Sequence, residues 1–278
     1  MTAVAHISTL VSTSESCHLF PAGCGYPAPD AGIFEFPSIL EFTVAGVTVH
    51  FTKPMLLLLL AAALIVIFFV AAFRKAKIVP RGIQNVGEMG YLFVRDGIAR
   101  DTIGREGDAF VPFLFTFFFL VWGLNFMGIL PFAQIPVTSR FAIPVAFAAI
   151  VYFTWVPLGI KRQGFVPFFK GMIVPKDVPA AMLVLLIPLE ILSNFIVRPF
   201  THAVRLFANM FAGHLLIVTF AVGAWYLFSP SVIGIIGSAA SFGVTVGLTG
   251  FELLIQALQA YVFTLLAAVY INDALHAH

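Results

Sequence analysis

Charge is what this chain has least of. Only 10% of its 278 residues are Asp, Glu, Lys or Arg, against 60% that are hydrophobic. A soluble domain carries roughly 25% charged residues, so a water-soluble globular fold is excluded and a polytopic membrane protein is implied. No Lys or Arg occurs before Lys53, and none in the 73 residues after Arg205. The start therefore lacks the basic region of a cleaved secretory signal. The two cysteines, Cys17 and Cys24, have six residues between them, which is neither a metal nor a redox spacing. In an exported segment a disulfide between them is permitted, with two free thiols as the other reading. No P-loop, no His/Cys metal cluster and no Ser/His/Asp arrangement is visible. That leaves no cofactor and no metal site to assign, and no partner of nucleic-acid type.

The 15 Lys and Arg residues that are present are informative by position. Arg74, Lys75, Lys77, Arg81, Arg95, Arg100 and Arg105 form one group, and Lys161, Arg162, Lys170 and Lys176 a second. The positive-inside rule places both groups in the cytoplasm and residues 1–53 outside as an exported arm. A membrane helix needs about 20 apolar residues. Residues 54–73, 110–132 and 141–160 meet that requirement. Residues 78–108 mix apolar positions with many charges and read as an amphipathic segment on the cytoplasmic side. Residues 161–178 read as a cytoplasmic loop. Residues 179–228 and 232–272 are too long for upright spans at about 1.5 Å per residue. The first reads as a long inclined helix or a helix pair, the second as a long inclined helix, and 273–278 as a cytoplasmic tail. The expected fold is all-α, with five or six membrane helices, the last two long stretches forming a C-terminal hairpin.

Arg205 is the residue that most needs explaining. A charge at membrane depth costs about 3 kcal/mol on insertion scales, so it implies an ion path or a buried pair. At about 100° per residue, Arg205, Asn209 and Ala212 share one helix face, with Ala208 beside them, and His214 points the opposite way. Small residues around the charge allow close approach of another helix. Farther on, Glu252, Gln256 and Gln259 stand at i, i+4 and i+7 and form one polar stripe.

The segment Arg205-Leu206-Phe207-Ala208-Asn209-Met210-Phe211-Ala212-Gly213-His214 resembles the signature of the ATP synthase Fo subunit a family. Leu258-Gln259-Ala260-Tyr261-Val262-Phe263, with Gln259 seven residues after an ionisable Glu252, is similar to that family's C-terminal helix. Val79-Pro80-Arg81-Gly82-Ile83-Gln84-Asn85, and Asn125 followed by Gly128-Ile129-Leu130-Pro131, also fit. The resemblance covers roughly residues 50–278 and leaves the first 50 without a counterpart.

The resemblance implies a proton-conducting stator in a bacterial plasma membrane, not an enzyme by itself, with the N-terminus outside and the C-terminus cytoplasmic. Its implied partners are the c-subunit ring, b-type peripheral stalk subunits, the rest of an F-type ATP synthase, and the lipid bilayer. Protons enter one aqueous half-channel, neutralise a ring carboxylate, and leave by the other. Arg205 would favour ionisation of the passing carboxylate and block direct proton hopping. A guanidinium holds its proton, so it does not relay protons itself. Asn209 would face the ring or the outer half-channel. His214 and Glu252 would form a relay pair on the outer path, with acid and histidine exchanged relative to many family members. Gln259 would orient Arg205, and Glu190 would line the cytoplasmic half-channel. Further candidates are Gln256, Thr201, His202, Ser193 and Asn125. Structural alternatives are a Glu190–Arg198 pair, a helix-packing role for Gln256, an interhelical bond at Asn125, and packing or lipid contact for Phe117, Phe118 and Phe119. Na⁺ coupling is the alternative ion choice. A self-contained secondary transporter is the competing class, but its internal repeats are not evident.

Overall fold

A computed structural model describes residues 40–44, 47–130, 133, 136–174, 180–228 and 231–276. Cys17, Cys24, His278 and the outer part of the N-terminal arm lie outside the described residues.

From Lys53 onward the described chain is helical, as its composition requires. Five helical stretches are long and apolar enough to cross a membrane: Lys53–Phe73, Arg105–Phe126, Ala142–Gln163, Leu185–Leu227 and Val232–Leu275. Only helices or closed barrels satisfy every backbone polar group in lipid. Helix α1 is Lys53–Phe73, with Pro54 in its first turn, where a missing N–H costs nothing. Helix α2 is Ile83–Val94. A π-turn (Arg95–Arg100), one turn of helix (Asp101–Ile103) and a 3₁₀ segment (Arg105–Phe110) lead from it into α3, Val111–Phe126. Helix α4 is Ala142–Gln163 and α5 is Phe165–Ile173. Helix α6, Ala180–Leu192, passes through a second π-turn, Ser193–Val197, into α7, Arg198–Leu227. Helix α8 is the unbroken Val232–Leu275.

Two features depart from the sequence expectation. Strand β1 (Leu40–Val44) pairs antiparallel with β2 (Val47–Phe51), Leu40 opposite Phe51 and Val44 opposite Val47. Alternating β-branched and aromatic residues favour this strand pair. Within the stretch read as a loop, α5 is a folded helix.

The described residues fall into two compact units. One comprises Ala212–Leu253; the other comprises the described residues of Phe36–Phe211 and Leu254–His278. In the smaller unit, Ser238 Oγ donates to the Ala224 carbonyl at 2.7 Å and Ser241 Oγ to the Phe220 carbonyl at 2.8 Å. Those two bonds join the C-terminal part of α7 to the N-terminal part of α8, running antiparallel. In the larger unit, the core is built from Leu57 and Ala61 of α1, Leu114, Phe117, Val121 and Leu124 of α3, Val151 and Trp155 of α4, Leu206 and Met210 of α7, and Phe263, Ala267 and Ile271 of α8. Phe117 is buried and lies 6.0 Å from Phe263 and 5.9 Å from Phe147, ring centre to ring centre. Phe118 and Phe119 are partly buried and pack against the core. Small residues at the helix contacts (Ala260, Ala267, Ala268, Ala274) are what close packing needs where lipid is as apolar as the protein.

Outside the spans, charge is neutralised locally. Arg95 grips Asp96 with two bonds of 2.8 and 3.0 Å, and Arg100 grips Asp108 with two of 2.7 and 2.8 Å. The Arg95 hydrogen bond holds the Asp96 carboxyl below its ordinary value. A depressed carboxyl contributes stability above its unfolded pKa and loses it as pH falls through the folded one. Asp96 therefore stays ionised throughout the neutral range.

Gly159 of α4 sets how closely α5 folds back. A Cβ there would run into the ring of Phe168, which is buried against Trp155. Gly164, at φ +89°, makes the intervening turn and donates its N–H to the Ile160 carbonyl. Gly159→Ala is expected to overpack this corner and destabilise the chain by about 1–3 kcal/mol, read as a lower unfolding temperature in detergent. An unchanged temperature would show that Phe168 can move aside freely.

Candidate functional site

Arg205 lies on an exposed face of α7 together with Thr201, Ala208, Asn209 and Ala212. Among the described residues no carboxylate lies within ion-pair distance of its guanidinium. On the inward side of the same helix, Leu206, Met210 and Ala203 are buried in the core. The helix thus divides cleanly between a packed face and a face carrying one cation among small side chains.

Helix α8 is arranged the other way round. Its polar stripe turns inward: Glu252 is 4%, Gln256 0% and Gln259 4% exposed, while Phe251, Leu254 and Leu258 face outward. Asn209 Nδ2 donates to Gln259 Oε1 at 2.8 Å, joining α7 to α8 one helical turn beyond Arg205. Gln259 therefore meets Asn209, and no side-chain hydrogen bond joins it to Arg205 among the described residues. Gln256 is fully buried, and its amide finds no hydrogen-bond partner among the described residues. His202 is buried under Phe263, with ring centres 3.9 Å apart, and lies 5.8 Å from Tyr270. It occupies the core beneath the Arg205 face and not the face itself.

In the smaller unit, His214 and Glu252 are both buried. The Glu252 carboxylate lies over Gly213, with one oxygen 3.5 Å from where a Cβ would stand. A Cβ at position 213 would sit in ordinary contact with that acid.

A third group surrounds the π-turn. An N–H five residues on, that of Arg198, donates to the Ser193 carbonyl, which defines the wide turn. Thr201 Oγ1 donates back to the Val197 carbonyl at 2.7 Å. Asn194 is buried and donates to Glu190 Oε2 at 3.1 Å and to the Met172 carbonyl at 2.7 Å. Arg198 pairs at 3.6 Å with Asp273, not with Glu190. Glu190 lines a cleft of about 170 Å³ with Asn194, Arg198 and Asp273. Ser193 is half-buried within the π-turn. Asn125 is fully buried and accepts from Thr138 Oγ1, an anchor for the connection after α3.

Comparison with known proteins decides the family. The family model described as "ATP synthase A chain" matches residues 55–272. The chain belongs to the ATP synthase A chain family. It is 49% identical over 263 residues to the ATP synthase subunit a of Streptomyces lividans, covering 94% of this chain and 92% of that protein. It is 45% identical over 258 residues to that of Pseudarthrobacter chlorophenolicus (90% and 97% covered) and 44% identical over 254 residues to that of Frankia alni (90% and 86% covered). Members of the ATP synthase A chain family are membrane components of the Fo sector of the F-type complex and not enzymes by themselves.

Asp273, Asn194, Gln163 and His276 were not among the site residues expected from the sequence. Asp273, Asn194 and Gln163 each make contacts between elements, a pairing that spacing along one helix cannot reveal, while His276 bonds within its own turn, to the Asn272 carbonyl. The Asn209–Gln259 bond is expected to show a coupling of about 0.5–1.5 kcal/mol in a double-alanine cycle of unfolding in detergent. Strict additivity of the two changes would remove this bond from the account.

Proposed function

We propose that this chain is the proton-conducting stator of an F-type ATP synthase, passing H⁺ to and from ring carboxylates through two half-channels. The observation that carries this reading is the exposed Arg205 guanidinium, set among small residues and given no carboxylate by its own chain's described residues. A charge at membrane depth needs an opposite charge. A ring of identical subunits, each presenting one carboxyl group, supplies such a partner repeatedly. The small side chains at Ala208 and Ala212 let a neighbouring helix come close.

The chemistry follows from solvation. A protonated carboxyl can face lipid, while an ionised one is strongly disfavoured there. As each ring carboxyl passes Arg205, the guanidinium favours its ionised form, so the proton leaves into one half-channel. After passing, the carboxylate takes a proton from the other and returns to lipid neutral. The fixed positive charge between the two paths repels a proton that would cross directly. Asn209, steadied by Gln259, borders the face that the ring meets. Buried His214 and Glu252 serve the outer path, since an imidazole and a carboxyl group can each take up and release a proton. Glu190, in its cleft, serves the cytoplasmic path.

The charge pattern supports an orientation with residues 1–53 outside. The two basic groups follow α1 and α4, and five spans would then bring the C-terminus to the cytoplasm. The ring and the b-type stalk subunits are the partners of this arrangement in a bacterial plasma membrane.

Arg205→Ala is expected to abolish proton-driven ATP synthesis while the complex still assembles, because the change deletes a charge and leaves the core intact. Synthesis at the parental rate in membrane vesicles would refute the role. Exchanging His214 and Glu252 together is expected to preserve more proton pumping than either single change. Equal pumping by all three variants would remove both residues from the path.

A further inference from the structure

The cleft beside the π-turn holds more ionisable chemistry than Glu190 alone. Its walls include Glu190, Asn194 and Arg198 on one side and Asp273 and His276 on the other, with Gln163 at the end of α4. Gln163 Nε2 donates to the carbonyls of both Asp273 (3.0 Å) and Ala274 (2.9 Å). These bonds satisfy carbonyls left open at the end of α8 and fix the backbone that carries Asp273. Arg198 lies 3.6 Å from the Asp273 carboxylate and 5.9 Å from the Tyr270 ring centre.

The Arg198–Asp273 pair is poorly placed for a mere fastener. Its side chains are 38% and 32% exposed, and a single ion pair so open to water adds little stability. The fastening is already done by Gln163 on α8 and by Asn194 on Met172. What the pair does have is access: one partly exposed carboxylate, in the same cleft as a second carboxylate and as a guanidinium that cannot give up a proton.

We propose that Asp273 is the proton-exchanging group at the mouth of this cleft, linking Glu190 to the aqueous phase, with Arg198 and Gln163 as its positioning residues. The inference rests on the stator reading above. In the outward step a proton leaves the Glu190 carboxyl, crosses the cleft to the Asp273 carboxylate, and passes to bulk water, leaving both groups ionised. Uptake runs the same steps in reverse. Among the described residues that line the cleft, the charged and titratable groups beside Asp273 are Arg198 and Glu190 from the α6–α7 side and His276 after α8, with Tyr270 stacked near Arg198. The α4 and α5 walls contribute Gln163, Trp155, Phe168, Gly171 and Met172, none of which carries charge.

The test uses inside-out membrane vesicles carrying the complete complex, in which the medium bathes the cytoplasmic side. ATP-driven acidification is measured as medium pH is raised. Asp273→Asn is expected to lower pumping several-fold, most strongly at alkaline medium pH, where proton capture limits. Asp273→Glu is expected to restore both rate and pH profile. The double variant Arg198→Gln/Asp273→Asn, which leaves no unpaired charge, is expected to stay as slow as Asp273→Asn. Recovery of pumping in the double variant would make the pair a structural latch and overturn the proposal, as would a parental pH profile in Asp273→Asn. Arg205→Ala vesicles assayed for ATP synthesis alongside separate the two ideas. Synthesis there would sink the stator reading itself, whereas its loss together with an unaffected Asp273→Asn sinks only the role of Asp273.

Discussion

A guanidinium cannot be discharged by any ordinary environment, and this constraint governs the chain. A buried lysine can lose its proton and become neutral; Arg205 cannot. Its charge must be met by water or by an anion, and the described residues of its own chain bring no carboxylate within reach. The helix that carries it is accordingly two-faced. Leu206 and Met210 anchor it in the core, while Ala208, Asn209 and Ala212 keep the surroundings of the charge low and open. The fold keeps Arg205 accessible without letting it find a partner at home.

The two long helices divide the polar labour unequally. Helix α7 shows its cation outward, while α8 hides Glu252, Gln256 and Gln259 inward and shows Phe251, Leu254 and Leu258 outward. Among helices of soluble proteins, polar residues face out and apolar ones in. The inversion in α8 is what lipid as a solvent selects: a buried polar group can bond between helices, as Gln259 does with Asn209, and the outer surface stays apolar. The apolar helices α1, α3 and α4 supply bulk and aromatic packing against this pair and carry none of the unusual charges.

Much of this was readable from the sequence, and the physics of each residue explains why. Apolar run length gave the spans, because bilayer thickness fixes it. The 100° repeat put Arg205, Asn209 and Ala212 on one face and His214 on the other, since that relation is local to a single helix. The Glu252–Gln256–Gln259 stripe was legible for the same reason. The pairing of Arg198 with Asp273 instead of Glu190 was not, because 75 residues separate the partners and only the packing of α7 on α8 selects between two acids. Gln259 meeting Asn209 instead of Arg205 is a one-turn difference in that same packing. The β1–β2 hairpin had a signal in the alternation of Phe42, Val44, Val47 and Val49, but it lay in the arm that the family resemblance left without a counterpart, although the Streptomyces lividans relative aligns over 94% of this chain and so reaches it. Helix α5 was hidden by two prolines and two lysines that made residues 161–178 look like a loop.

The π-turn at Ser193–Val197 acts as a phase shifter. One surplus residue is wound into a single wide loop of backbone, so everything upstream is rotated by about 100° relative to an uninterrupted α-helix. That rotation fixes which way Glu190 looks with respect to Arg205, though neither residue touches the turn's Ser193–Arg198 bond. Losing one residue between 193 and 197 would let the helix close up in ordinary register and swing the acid away from its cleft, without altering a single side chain on either side. In this segment chain length itself carries information, and relatives that differ by one residue here would be expected to differ in where they place their acid.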